Sequence, residues 1–167
     1  MPDAPGLELI RGEIEGDHPG AILDTGFDRG GATLVVDPEQ VLDVLRWLRD
    51  APGQGYRFLS SLHAADYLPA EPRFGVHYEL LNRNRVERVR VKAMLRVDPE
   101  IDSCVELFPT AEFQEREAYD MFGIVFQGHP DLTRILLPDD YVGWPQRRDF
   151  PVGGEPVTFT YNEGDRG

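Results

Sequence analysis

The sequence predicts an α+β fold: a two-layer domain with a mixed or antiparallel sheet and helices on one side, followed by a long irregular C-terminal segment. Two observations predict it. Apolar and polar residues alternate in several short segments, as in half-buried strands, and apolar residues recur every three or four positions in others, as in helices. The two kinds of segment do not alternate regularly along the chain, which argues against a parallel βαβ architecture.

The length of the chain, 167 residues, suits one domain of ordinary size, because two separate halves would each bury only a marginal core. Apolar residues make up 41% and charged residues 28%, the proportions of a folded protein. We expect an α+β core domain over 1–110, a helix and extended segment over 111–156, and a short tail over 157–167.

Two helices are predicted in the first third of the chain. Apolar residues at helical spacing over 7–14 indicate a short amphipathic helix. The second helix is expected over 38–50, because Asp37 can cap its N-terminus and Pro38 suits the first helical position.

Five strands are predicted from their alternating apolar residues and from the turn-forming residues between them. Turns are expected over 24–31 and 82–85, and a short helical turn over 102–108. The strands are expected at 21–23, 32–36, 56–62, 74–81 and 86–97.

A third helix is predicted over 111–122. Thr110 can cap its N-terminus, and Gly123 can end it in the left-handed conformation. Glu112 and Arg116 lie four residues apart and are expected to form an ion pair on its surface.

Composition excludes several classes of function. The formal net charge of −13 disfavours attraction to nucleic acid or anionic lipid and favours a basic partner surface. A single cysteine, Cys104, excludes a disulfide within the chain or a multi-cysteine metal site, and we expect it to be a buried apolar residue. The sequence has neither a membrane-spanning apolar run nor the features of a signal peptide, so we expect membrane association only through partners.

The segment from 123 to 156, here called the strap, has little periodicity yet many apolar and aromatic residues. Long stretches without secondary structure are uncommon in compact domains unless they are functional or disordered, and the apolar content argues against disorder. Prolines at roughly even intervals restrict the backbone, so we expect a defined extended path that docks on a protein surface.

The most specific motif begins with Glu-Arg-Glu-Ala-Tyr-Asp-Met-Phe-Gly-Ile at 115–124. It continues with Gly-His-Pro-Asp-Leu at 128–132, Arg-Ile-Leu at 134–136 and Arg-Arg-Asp-Phe-Pro at 147–151. In order and spacing these motifs resemble the signature of the 30 kDa subunit, also called the C subunit, of respiratory complex I, an NADH-quinone oxidoreductase. Weaker similarity upstream extends the resemblance over roughly 56–156.

Three single residues depart from the family pattern. Phe113 stands where the family often has Trp, Thr133 where a basic residue is usual, and Gln146 where Leu is common. These departures affect side chains within an intact motif, so they bear on partner contacts and not on membership.

The resemblance implies a non-catalytic structural subunit in the hydrophilic arm of a proton-translocating NADH:quinone oxidoreductase. Its partners would be subunits D and B, and it would be peripheral on the cytoplasmic side of the inner membrane. FMN and iron–sulfur clusters would belong to partner subunits, with no cofactor in this chain, and the isolated chain would have no activity. The residues expected at partner interfaces are Glu115, Arg116, Glu117, Asp120, His129, Asp131, Arg134, Tyr141, Trp144, Arg147, Arg148 and Asp149.

Two other functions are kept as alternatives. The same signature is shared by related assemblies, so the chain could be the equivalent subunit of a membrane-bound hydrogenase or a ferredoxin- or plastoquinone-linked complex. An independent metal-dependent enzyme using His129 and Asp131 is the third hypothesis, with His63, Asp66 and His77 as further ligands. No pair among these residues has the spacing that is diagnostic of a metal site.

Two further kinds of site have some support in the sequence. Glu115, Glu117 and Asp120 on one helix suggest acid–base chemistry, but a solvated or partner-paired charged face is the favoured interpretation. The glycine pairs at 30–31 and 153–154 lack the lysine and helix start of a phosphate-binding loop, so nucleotide binding is not predicted.

Overall fold

The structure is a computed structural model that describes residues 2–151. Within that range it contains three α-helices and seven strands. The helices are α1 (Ala4–Asp17), α2 (Val41–Asp50) and α3 (Ala111–Phe122). The strands are β1 (Ile22–Asp28), β2 (Gly31–Val36), β3 (Phe58–Asp66), β4 (Phe74–Asn82), β5 (Glu87–Leu95), β6 (Glu100–Asp102) and β7 (Val125–Gln127).

Five strands form one mixed sheet in the order β1-β2-β5-β4-β3. Strand β2 pairs with β5 in parallel, and the other neighbours are antiparallel. The short strands β6 and β7 form a separate parallel pair. The predicted α+β class with a mixed sheet is confirmed.

The two faces of the sheet differ in burial. In β5, Val89, Val91, Ala93 and Leu95 are buried in the core, whereas the alternate residues are exposed or half-buried. Helices α1 and α2 cover the core face with their own apolar residues, Leu7, Ile10, Ile14, Val41, Val44, Leu45 and Leu48. The opposite face of the sheet carries charged and polar side chains, among them His77, Glu79, Arg88, Arg90 and Lys92.

The predicted helices are present. Asp3 caps α1 by accepting a hydrogen bond from the Gly6 amide at 2.8 Å. Asp37 caps a short 3₁₀ turn, Pro38–Gln40, that leads into α2. Gly123 ends α3 with a φ of 71°, as expected. The expected capping by the Thr110 side chain is wrong, because its hydroxyl donates to the Leu59 carbonyl at 3.4 Å.

Two other expectations differ from the structure. Strand β1 continues through most of the predicted turn over 24–31, because Arg29 and Gly30, with φ of 49° and 78°, suffice to reverse the chain. Strand β6 occupies the start of the predicted helical turn over 102–108. A single turn follows it, in which the Leu107 and Phe108 amides both donate to the Cys104 carbonyl, at 3.0 and 2.8 Å.

No helix within residues 2–151 is long and apolar enough to cross a bilayer. The last five residues of the strap and the predicted tail over 157–167 lie outside the described residues. The domain boundaries drawn from the sequence stay predictions.

Candidate functional site

Asp120 on α3 is the buried anchor of the strap. Its Oδ2 atom accepts the N–H groups of Ile135, Leu136 and Leu137 at 3.1, 2.8 and 2.9 Å. Its Oδ1 atom accepts a charge-assisted hydrogen bond from Arg134 at 2.6 Å. Burial by itself would raise the pKa of Asp120, but these four donors outweigh burial and hold the pKa below its ordinary value. The carboxylate therefore stays ionised and binds a turn of the strap to α3.

Arg134 connects this anchor to the next part of the strap. Its guanidinium also donates to the main-chain carbonyls of Tyr141 and Gly143, at 3.0 and 3.2 Å. The Trp144 ring lies against it, with the guanidinium carbon 4.7 Å from the ring centre. A planar guanidinium has five N–H donors and a flat face, so it can make all these contacts at once. Several parts of the strap are therefore held by the single side chain of Arg134.

Trp144 packs against the end of α3. Its ring meets Tyr119 edge to face, with the ring centres 5.2 Å apart. At Gly123 an added Cβ would lie only 2.5 Å from Trp144 Cε2, and the φ of +71° favours glycine independently. Gly123 thus both ends the helix and makes room for the strap.

A second buried cation, Arg73, holds the end of the strap. Its guanidinium pairs with Asp66 at 2.9 and 2.7 Å and with Asp149 at 3.0 and 2.6 Å. These bonds hold the pKa of both carboxyls below its usual range. Arg148 strengthens the same junction, because its amide donates to Asp66 at 2.8 Å and its side chain to the Leu68 carbonyl at 2.7 Å.

Arg147 makes a further contact of the strap, in the region between Arg134 and Arg73. Its Nε donates to the Phe122 carbonyl at 2.7 Å, at the C-terminus of α3. Its guanidinium carbon lies 5.0 Å from the centre of the Phe74 ring and 5.9 Å from that of Trp144. The strap is therefore fastened to both α3 and the sheet.

Glu115 is fully buried on the inner face of α3. It accepts hydrogen bonds from the Ser103 hydroxyl at 2.6 Å and the Cys104 amide at 2.8 Å. Burial nevertheless raises its pKa above the ordinary value, because these two donors do not fully replace water. Cys104 is buried as expected, and burial beside Glu115 raises the pKa of its thiol, which stays protonated.

Arg116 and His129 hold the first part of the strap on the outer side of α3. Arg116 donates to the carbonyl and hydroxyl of Thr133 at 3.1 and 3.0 Å. The expected ion pair of Arg116 with Glu112 is wrong, because the guanidinium is engaged by the strap. His129 Nε2 donates to the Glu112 carbonyl at 3.1 Å, and its Nδ1 accepts the Asp131 amide at 3.0 Å.

The outward side of α3 and the strap is apolar as well as charged. Phe113, Leu136 and Val142 are 59, 61 and 88% exposed. Glu117 and Asp131 add exposed carboxylates. Exposed apolar residues beside charged ones are typical of docking surfaces when they are grouped.

The residues predicted at partner interfaces are all on α3 and the strap, but they face different ways. Glu115 and Asp120 are fully buried, and the hydrogen bonds described above join them to this chain. Asp120 therefore positions the strap from inside, whereas Glu115 holds α3 to the segment that follows β6. Partner contact for the others stays a prediction.

The residues considered as metal ligands lie in different parts of the fold. His63 and His77 stack on neighbouring strands with ring centres 4.9 Å apart, and Asp66 is held in its ion pair. His129 and Asp131 belong to the strap. Within residues 2–151, no group of three or more His, Cys, Asp or Glu side chains is placed to hold a metal ion.

Sequence reasoning missed Arg73. Its partner Asp149 lies 76 positions along the chain, so no local spacing relates the two residues. The one sequence signal is indirect: an arginine placed immediately before a buried strand needs a carboxylate from elsewhere in the fold.

Comparison with known proteins places this arrangement in a family. The family model described as "Respiratory-chain NADH dehydrogenase, 30 Kd subunit" matches residues 34–156. The C subunit of the NADH-quinone oxidoreductase of Roseiflexus castenholzii is 47% identical over 155 residues, which cover 92% of this chain and 89% of that protein. The chain belongs to this family.

Other members of the 30 kDa subunit family agree. The corresponding protein of a Roseiflexus species (strain RS-1), with the same name, is 42% identical over 164 residues, covering 98% of this chain and 92% of that protein. Among solved structures, "Nqo5 of the trypsin-resistant fragment (1-134)" has a TM-score of 0.64 at 30% identity, covering 75% of this chain and 98% of that chain. The resemblance seen in the sequence motifs is confirmed.

Proposed function

We propose that this chain is a non-catalytic structural subunit of a proton-translocating NADH:quinone oxidoreductase. Its relatives are named as the C subunit of an NADH-quinone oxidoreductase, which supports the assignment to the complex. The observation that carries the structural role is the strap. Its backbone is fastened through two cations, Arg134 and Arg73, of which Arg73 binds Asp149, while apolar side chains face outward. Neighbouring subunits dock on that outward side.

The hydrogen bonds and ion pairs that hold the strap on its own domain also favour its docking on a partner. A flexible segment of this length would lose conformational entropy on binding, and this loss would weaken the complex. Because the strap is already held by its own domain, most of that cost falls on folding instead. Electron transfer between neighbouring cofactors needs fixed distances, so a rigid docking surface suits this subunit.

The chemistry of the buried carboxylates supports positioning over catalysis. Asp120 is surrounded by donors from the strap, and Glu115 is bonded to the segment after β6. Neither carboxylate is exposed to a substrate. FMN, the iron–sulfur clusters and the quinone site belong to neighbouring subunits in this proposal.

The proposed neighbours are subunits D and B, with the assembly peripheral on the cytoplasmic side of the membrane. Purification of the assembly through a tag on this chain identifies them. An NADH-oxidising subunit among the captured proteins supports the proposal, whereas a hydrogenase or a ferredoxin-linked enzyme in its place contradicts it.

A pair of substitutions tests the docking surface. We expect Leu136→Asp with Val142→Asp to lower the amount of chain retained in the native complex roughly tenfold, because two carboxylates would be buried without partners. NADH:quinone activity should fall in proportion. The matched control is Leu9→Asp with Val86→Asp, two residues that are 70 and 76% exposed outside α3 and the strap. Normal assembly of the strap variant would contradict the proposal.

A further inference from the structure

The face of the five-stranded sheet opposite the helices carries a row of cations. Arg88, Arg90 and Lys92 alternate along β5 with residues of the core. Together with residues of β1, β2 and β4 they line an open hollow of about 570 Å³. A row of three cations is notable in a chain with a net charge of −13.

Two of these cations have no carboxylate partner within residues 2–151. Arg90 is paired with Glu79 on β4. Lys92 lies over the Tyr67 ring, with Nζ 4.3 Å from the ring centre, and no carboxylate oxygen of the described chain lies within 4 Å of it. Arg88 is exposed and forms no ion pair there. Exposed cations in a row are stabilised when anions lie opposite them.

A second observation about the hollow concerns His77, which lies on β4 opposite Lys92 of β5. It is 5% exposed and lines the hollow, and its Nε2 lies 3.0 Å from the Tyr67 hydroxyl. Its Nδ1 is buried without a hydrogen-bond partner in the described part of the chain. Burial, with further contributions from His63, Lys92 and Arg90, lowers the pKa of His77 to about 3, so the ring is neutral. His77 is paired in register with Lys92, so an unsatisfied buried nitrogen lies next to one of the two unpaired cations.

We infer that this hollow receives an extended acidic segment of a neighbouring protein subunit, whose carboxylates pair with Arg88 and Lys92. The inference rests on the proposed function, because the neighbour is a subunit of the same complex. Side chains on one face of a strand repeat about every 6.7 Å, and an extended segment lying along β5 has the same repeat. Arg88 and Lys92 are four residues apart, which is two such repeats or about 13 Å, so carboxylates four residues apart in that segment meet the two cations in register.

The same hollow argues against a nucleic acid or an anionic membrane. Asp24, Asp28 and Glu79 also line it, and they would repel a continuous row of phosphates. The net charge of the chain acts in the same direction at long range. A protein segment can place single carboxylates opposite the cations and donors opposite these three acids, which a phosphate polymer cannot do.

Lys92 makes the test specific, because it is the only lysine among the 167 residues. A carbodiimide joins a lysine amine to a carboxylate that touches it. After coupling in the intact purified complex, we expect mass spectrometry to find Lys92 joined to an Asp or Glu in an acidic segment of another subunit. Coupling of Lys92 only to carboxylates of this chain, or to none, would overturn the inference. Lys92→Arg keeps the charge, so it should abolish the cross-link and leave assembly intact.

Charge reversal gives an independent test. Arg88→Glu with Lys92→Glu should lower retention of the chain in the salt-washed complex about tenfold, because two ion pairs become two repulsions. Arg46→Glu with Arg57→Glu makes the same change of net charge at two exposed arginines of the described chain that do not line the hollow, and should leave retention unchanged. Equal retention of the two variants would overturn the inference.

The strap variant of the previous section separates the two proposals. If Leu136→Asp with Val142→Asp prevents assembly while the sheet-face variant assembles normally, the acidic segment is excluded and the structural role stands. If both variants assemble normally, both proposals fail.

Discussion

The carboxylate of Asp120 and the guanidinium of Arg134 lie 2.6 Å apart, with side-chain exposures of 0 and 12%. A pair this buried is stable only when the remaining donors and acceptors are also satisfied. Here three strap amides and two strap carbonyls satisfy them. The ion pair and the backbone around it therefore form one unit, and loss of either charge should release the strap.

We expect Asp120→Asn to lower the free energy of unfolding by about 3 kcal/mol, because Arg134 would stay buried without its anion. Urea unfolding of the purified chain measures the change. Asp139→Asn removes an exposed carboxylate from the same strap and should change stability by less than about 0.5 kcal/mol. Equal stability of the two variants would show that Asp120 is not the anchor.

Acid should weaken the junction at Arg73. The pKa of Asp66 and Asp149 is held below the unfolded value of about 3.9, so their stabilising effect is present above that pH and is lost as pH falls through the folded-state pKa. In Arg73→Met this part of the acid sensitivity should disappear. Unfolding free energies across a pH series test it, with Arg96→Met, at an exposed arginine, as the control. An unchanged acid slope in Arg73→Met would contradict the assignment.

Glu115 should give the opposite pH dependence. Its pKa is raised, so the folded state holds the proton more tightly, and stability falls as pH rises from about 4.3 through the folded-state pKa. Glu115→Gln should remove this fall, because an amide does not ionise and can still accept the Cys104 amide. Glu117→Gln, at an exposed position on the same helix, should keep it. The prediction fails if both variants show the wild-type profile.

Gly123 and Gly128 allow backbone strain to be separated from side-chain overlap. Both have positive φ, of 71° and 80°, so Ala at either position should cost about 1–2 kcal/mol. Only at Gly123 would the added Cβ overlap Trp144, since nothing lies within 4 Å of a Cβ at Gly128. We expect Gly123→Ala to be less stable than Gly128→Ala by about 1–3 kcal/mol.

The fluorescence of Trp144, measured in a Trp47→Phe background, gives a second test of the difference between Gly123→Ala and Gly128→Ala. The emission should shift in Gly123→Ala and stay constant in Gly128→Ala, because only the first substitution displaces the ring. Equal stability and equal emission would show that the strap does not depend on this contact.

The parts of the fold that could be predicted are those with local signals. Asp37 and Pro38 lie next to the helix they begin, and the alternation in β5 reports its own burial. The parallel pairing of β2 with β5 could not be predicted, because it depends on which of several strands becomes the neighbour. Thr110 shows the opposite failure, since a good local capping signal was overridden by a tertiary contact with Leu59.

In the candidate site, too, local features could be predicted and tertiary contacts could not. The motif located the strap, but its charges gave no sign of which would turn inward. Spacing predicts that Arg116 pairs within its helix and that Asp120 belongs to a charged face, yet both bind strap residues that lie 14 to 18 positions away. Such pairings depend on the path of the strap, which is fixed by packing and not by spacing.

Asp120 binds main-chain N–H groups and not the side chains of residues 135–137. The exposed side chains of Ile135 and Leu136 are therefore free to change without loosening these hydrogen bonds, provided that neither becomes proline, whereas Leu137 packs against the core. Ile135 and Leu136, both on the outside, can be exchanged for residues that suit a different neighbour. The hydrogen bonds to Asp120 can therefore hold the strap in the same conformation while its exposed side chains vary. The outer surface of the strap can change in this way without a change of fold.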